Sequence, residues 1–147
     1  MKGNRTMRVW SGIVAALGMA VAVPASAFAP GVSPAGLWLS PHSNVAVRTA
    51  PCGARLCGWV VWASPAARAD AKDGGVERLL GTELLENYAA DGSGAWTGTV
   101  FVPDTGRRFA SRIDLPNADT LRIRGCLWGG MLCRSQNWSR IAQVPHG

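Results

Sequence analysis

The groups able to do chemistry in this chain are few and widely spaced. Asp104-Thr105-Gly106 spells the tripeptide of aspartic proteases, whose chemistry needs two carboxylates sharing one proton. A single copy is present, and Pro103 before it reads as the entry to a tight turn, because proline presets the dihedral of the second turn position. The histidines are His42, in a polar Ser40-Pro41-His42-Ser43 turn, and His146, next to the C-terminus. A Ser-His-Asp triad would require such segments to converge on a buried orienting carboxylate. Neither histidine has ligand spacing to a partner, and adding Asp70 or Asp73 completes no metal pattern. The residues therefore predict no catalytic set, no metal and no cofactor, and the polar candidates read as solvated loops.

The cysteines say more. Cys52, Cys57, Cys126 and Cys133 make an even set, and their meaning depends on redox compartment. Lys2, Arg5 and Arg8 give a basic start, residues 13–23 are apolar, and Pro24 leads into Ala25-Ser26-Ala27. That is the layout of an export signal cut after Ala27, and the apolar stretch is too short for the roughly 20 residues of a membrane span. The expected protein is periplasmic or secreted, starts at Phe28 and keeps 120 of the 147 residues, with no membrane span after cleavage.

In that compartment the four cysteines predict two disulfides. Three pairings are possible; the turn residues Gly53 to Leu56 and the Gly129-Gly130 pair favour the local ones, Cys52 with Cys57 and Cys126 with Cys133. A four-cysteine zinc site fits only the first spacing. Three of the 15 cationic residues and none of the nine acidic ones fall in the leader, so cleavage lowers the formal charge from +6 to +3. Such mild basicity gives no case for nucleic acid.

The elements that must position these groups are short. Residues 28–35 carry Pro30, Gly31 and Pro34 and read as a flexible leader; 36–147 read as a single domain. Strand-like runs occupy 36–39, 45–49, 56–62, 95–102, 108–115, 120–125 and 133–141, with 78–88 ambiguous. In 108–115, Phe109, Ser111, Ile113 and Leu115 share one face and Arg108, Ala110, Arg112 and Asp114 the other; Leu121 and Ile123 continue the inner face. Leucine spacing leaves 77–87 open to a helix, although Gly81 and Thr82 weaken it. Residues 64–75 read as a long exposed loop. About eight consecutive antiparallel strands predict an all-β up-and-down barrel, since closure removes aggregation-prone edges; a β-sandwich is the alternative.

Six tryptophans follow the leader: Trp38, Trp59, Trp62, Trp96, Trp128 and Trp138. Most are expected in the core. Trp59 and Trp62, three positions apart, are expected on opposite strand faces. Trp128, beside Leu127 and Met131 in the loop between Cys126 and Cys133, is the foremost candidate for a ligand or partner contact, with Trp59 and Trp62 behind it.

The ordered segments Gly36-Leu37-Trp38, Cys52 to Gly58, Arg78-Leu79-Leu80-Gly81, Pro103-Asp104-Thr105-Gly106 and Cys133 to Arg140 resemble the bacterial domain-of-unknown-function 2147 family across essentially the whole chain beyond the leader. Phe101 and Phe109 stand where that family usually has tyrosines. The family is without assigned activity and looks like a relative of the calycin barrels, which include the lipocalins. Those barrels pair a Gly-x-Trp on the first strand with an arginine on the last. The resemblance implies that Gly36, Trp38 and Arg140 form a structural closure, with the guanidinium over the indole. The expected function is a non-catalytic barrel binding a small apolar or amphipathic ligand. The second expectation is an envelope interaction protein with a filled core that acts through its loops.

Overall fold

Alternating side chains build the wall. The computed structural model describes residues 32–127 and 132–146; the expected signal segment lies outside them. In chain order come β1 (Gly36–Leu39), β2 (Val45–Cys52), β3 (Arg55–Ala63), α1 (Pro65–Asp73), β4 (Glu83–Ala90), β5 (Trp96–Val102), β6 (Arg107–Asn117), β7 (Thr120–Leu127) and β8 (Leu132–Ile141). Each strand pairs antiparallel with the next, and β1 also pairs with β8, so the sheet closes into an eight-stranded up-and-down barrel. The barrel expectation holds and the sandwich does not form. Full closure leaves every strand with two neighbours and no exposed edge.

The β6–β7 hairpin follows its pattern. Ser111, Ile113, Leu121 and Ile123 are buried, while Arg108, Arg112 and Arg124 stand in solvent. On the outer face Arg122 and Arg124 both meet Asp114, and the bond donated by Arg122 holds the Asp114 carboxyl below the ordinary carboxylate range.

Bulges explain where the alternation was hard to read. Pairing moves from Gly58↔Leu85 to Trp59↔Glu83, so neighbouring Leu84 and Leu85 both reach the core. Adjacent buried leucines suit a helix as well as a strand; here the strand wins, starting at Glu83 after a turn at 80–81. A second shift sits on β3, where Ala46 pairs with Trp62 but Val47 with Val60. The residue left over is Val61. That extra residue moves Trp62 to the same, outer, face as Trp59, contrary to the opposite faces that simple alternation predicts.

The other correction is at 64–75, which is not a loop. Ser64 caps α1, its hydroxyl accepting from the Ala67 amide at 3.1 Å, Pro65 occupies the first turn, and Gly74 ends the helix. Ser-Pro before an alanine-rich run and Gly-Gly after it is a start and stop signal. It is easy to miss because the buried stripe is only Ala67 and Ala71.

Inside, the half of the barrel near the β2–β3, β4–β5 and β6–β7 turns is filled. Tyr88, Leu56 and Ile113 are buried there, with Trp96 packed against them. The Tyr88 hydroxyl is hydrogen-bonded to Ser111, so this buried phenol is satisfied. Cys52 is bonded to Cys57 and Cys126 to Cys133, the local pairing, each link contributing about 2 to 2.5 kcal/mol by the chain-entropy model.

Tyr88 is the sole tyrosine of the chain. Burial pushes its pKa up from 10.0 to about 12, partly opposed by the Ser111 hydrogen bond. The native state therefore keeps a proton that the unfolded chain releases near pH 10. Stability is complete below pH 10 and falls by up to about 1.4 kcal/mol per pH unit as pH rises toward 12. Ultraviolet titration should show native phenolate only near pH 12, and Tyr88→Phe should remove this part of the alkaline loss in urea melts.

Candidate functional site

Up-and-down winding brings alternate connections to one end of the barrel, and three of them are described in full. They are the β1–β2 turn, the β3–β4 connection carrying α1, and the β5–β6 turn. Below them lies a cavity of about 250 Å³. Its walls are apolar: Trp38, Val47, Leu85, Phe101, Leu121, Ile123 and Trp138. Polar groups gather at its rim, with Ser40, His42 and Asn44 from the β1–β2 turn, Asp70 from α1 and Asp104 from the β5–β6 turn. An apolar cup with a few polar groups is the usual form of a small-molecule site, here just below the usual size range of about 300 to 1,000 Å³.

α1 partly roofs the cup. Ala67 and Ala71 turn inward and line it. The helix ends against the β5–β6 turn so closely that a Cβ on Gly74 would collide with the backbone of Pro103 and Asp104. Only glycine allows this seat, and it holds the last turn of α1, with Asp70, beside Asp104. The N-terminal end is tied by the Ser64 amide, which donates to the Asn44 carbonyl at 2.8 Å.

The opposite end is shut by Arg140. Its guanidinium lies 4.1 Å from the Trp38 ring centroid, and the two residues are register partners across β1 and β8. Arg140 Nε donates to the Ala118 carbonyl at 2.6 Å, Nη1 to Ala35 at 3.1 Å and Nη2 to Ser33 at 2.7 Å. The Trp38 indole N–H donates to Thr49 Oγ1 at 2.9 Å and to the Pro34 carbonyl at 3.1 Å. Gly36 leaves the room: a Cβ there would overlap the guanidinium. Trp38 lines the cup while Arg140 does not, so the indole forms part of the floor and the cation stays outside.

Of the tryptophans singled out in the sequence, Trp59 and Trp62 are half-buried on the outer wall and line no part of the cup. Trp128 lies outside the described residues. Trp138, buried beside the cavity, is held by its N–H bond to Gln136 Oε1 at 3.1 Å. Polar residues read separately as solvated loops, His42, Asp70 and Asp104, meet at one rim; His146 and Asp73 stay away from it. Nothing in their spacing announces this, because the seat of α1 brings them together. The rim is not built as a triad: Ser40 Oγ donates to Asn44 Oδ1 at 2.8 Å and accepts the Asn44 and Val45 amides. Among the described residues no hydrogen bond joins His42 to Ser40, Asp70 or Asp104, and no cluster of three or more potential metal ligands forms.

A closed eight-stranded barrel with one capped end and one open cup is a lipocalin-like architecture. The bacterial family described as "Uncharacterized protein conserved in bacteria", domain of unknown function 2147, matches residues 36–140, and this chain belongs to it. Among solved structures it is similar in fold to protein HP1028 of Helicobacter pylori, described as belonging to the lipocalin family. That similarity has a TM-score of 0.59 at 11% identity and covers 76% of this chain and 84% of the other. No curated protein matches the sequence.

Replacing Arg140 removes the stack and three carbonyl contacts at once. Arg140→Ala should cost about 2–4 kcal/mol in urea unfolding. Arg140→Lys should restore less than half of it, because an ammonium keeps the charge but not the planar fork.

Proposed function

We propose that the protein is an exported, non-catalytic binding protein that holds a small apolar or amphipathic molecule in its cup. The observation that carries this reading is the apolar cavity of about 250 Å³ floored by Trp38 and Trp138 beneath a polar rim. Water's share of liquid volume is about 30 Å³, so the cup suits a ligand of about eight to ten non-hydrogen atoms. Burial of such a body at roughly 25 cal/mol per Å² is the driving term. Two disulfides and the signal-like residues 1–27 support a periplasmic or secreted location, where thiols oxidise.

Native mass spectrometry of protein isolated from the envelope of its host should find a retained small molecule. The intact mass should correspond to a chain starting at Phe28 and lacking four hydrogens. For apoprotein, 1-octanol should quench tryptophan fluorescence. Val45 lines the cup and is only half-buried; Val45→Trp, or the milder Val45→Phe, should weaken octanol at least tenfold with an unchanged circular dichroism spectrum. Protein that is always empty and indifferent to octanol would sink the reading.

A further inference from the structure

The rim of the cup carries a sign. Asp70 and Asp104 both line the cavity, and the close seat of Gly74 on Pro103 and Asp104 keeps their two elements together. Neither side chain is in an ion pair or hydrogen bond among the described residues. Of the other seven carboxylates, four are ion-paired among the described residues, Glu86 with Arg108, Asp91 with Arg112, Asp114 with Arg122 and Arg124, and Glu77 with Lys72, while Asp73, Glu83 and Asp119 are not and line no part of the cup. Beyond the leader cations are in excess, 12 against nine, yet no lysine or arginine is among the described residues lining the cup. The rim hydroxyl of Ser40 is already spent on Asn44 and the turn amides.

We infer that the cup selects amphipathic ligands with a cationic, hydrogen-bond-donating end, an alkylammonium type rather than a carboxylate. The apolar body lies against Trp38, Leu121 and Trp138, and the charged end rests at the rim between Asp70 and Asp104. This rests on the reading of the cup as a ligand site and adds its charge preference. An ammonium there finds two acceptors that need no rearrangement. A carboxylate of the same length meets two like charges with no lysine or arginine among the described lining residues to offset them. The apolar part of the affinity is common to both, so the preference comes from the rim alone.

The test is a matched series of octylamine, 1-octanol and octanoate. Binding is followed by calorimetry and tryptophan quenching at pH 8 in low salt and again in about 0.5 M salt, where rim charges are screened. Octylammonium should bind at least tenfold more tightly than octanoate, with octanol between them, and salt should narrow the gap. Asp70 and Asp104 are exposed, so Asp70→Asn with Asp104→Asn should fold normally, abolish the gap and leave octanol unchanged. Octanoate binding as tightly as octylammonium, or a gap that survives the double substitution, overturns the charge preference while octanol binding keeps the cup. No binding by any of the three overturns the cup and the preference together.

Discussion

The guanidinium of Arg140 is held where the last strand meets the first, stacked on Trp38 and bonded to carbonyls of the incoming chain and of the β6–β7 turn. Those partners come from the N-terminal end of the domain and from the β6–β7 turn, while Arg140 itself stands on the last strand, so a single planar cation fixes the register of β1 against β8. A lysine could supply charge but not several directed bonds in one plane. With that seam fixed, every strand is paired on both sides, and the interior becomes a cup shut at one end. Trp38 serves both sides of this boundary, as a platform for the cation and as floor for the cavity.

The interior is divided by side-chain size. Near the closed end Tyr88, Leu56, Ile113 and Trp96 fill the space; a buried phenol is tolerated because Ser111 satisfies it. Toward the open end the inward residues stop short of meeting, and the side chains that α1 buries are both alanines. A helix that buries two small side chains has little apolar area to hold it, so its place depends on the Ser64 end and on the backbone contact at Gly74. The void beneath it is thus a consequence of small residues at the roof.

Charge is distributed in two ways. On the outer wall of β4–β7, arginines and carboxylates are interleaved, which keeps the surface soluble and adds little stability per pair. At the rim, two carboxylates stand without counterions among the described residues. The difference is one of place, since the same residue types occur in both. The outer wall on the β3 side is unlike either, with Trp59 and Trp62 lying half-buried there because one bulge changed the parity of the strand.

Much of this architecture is legible in the amino-acid order. The period-two alternation of 108–115 and 120–125, turn residues between runs, and paired cysteines around glycine-containing loops lead to a closed barrel, whereas the Gly36, Trp38 and Arg140 closure is read only through the family resemblance. The former do so because strand faces, turn dihedrals and short disulfide loops are local constraints. The amino-acid order is silent where a local pattern is broken or too faint: at the bulges at Val61 and Leu84, and at a helix whose inner stripe is alanine. The cup's rim belongs to a third kind. His42, Asp70 and Asp104 lie on three separate connections, and no periodicity links them. Only the way the barrel closes and α1 lands on the β5–β6 turn puts them around one opening, so their shared position was decided by tertiary packing alone.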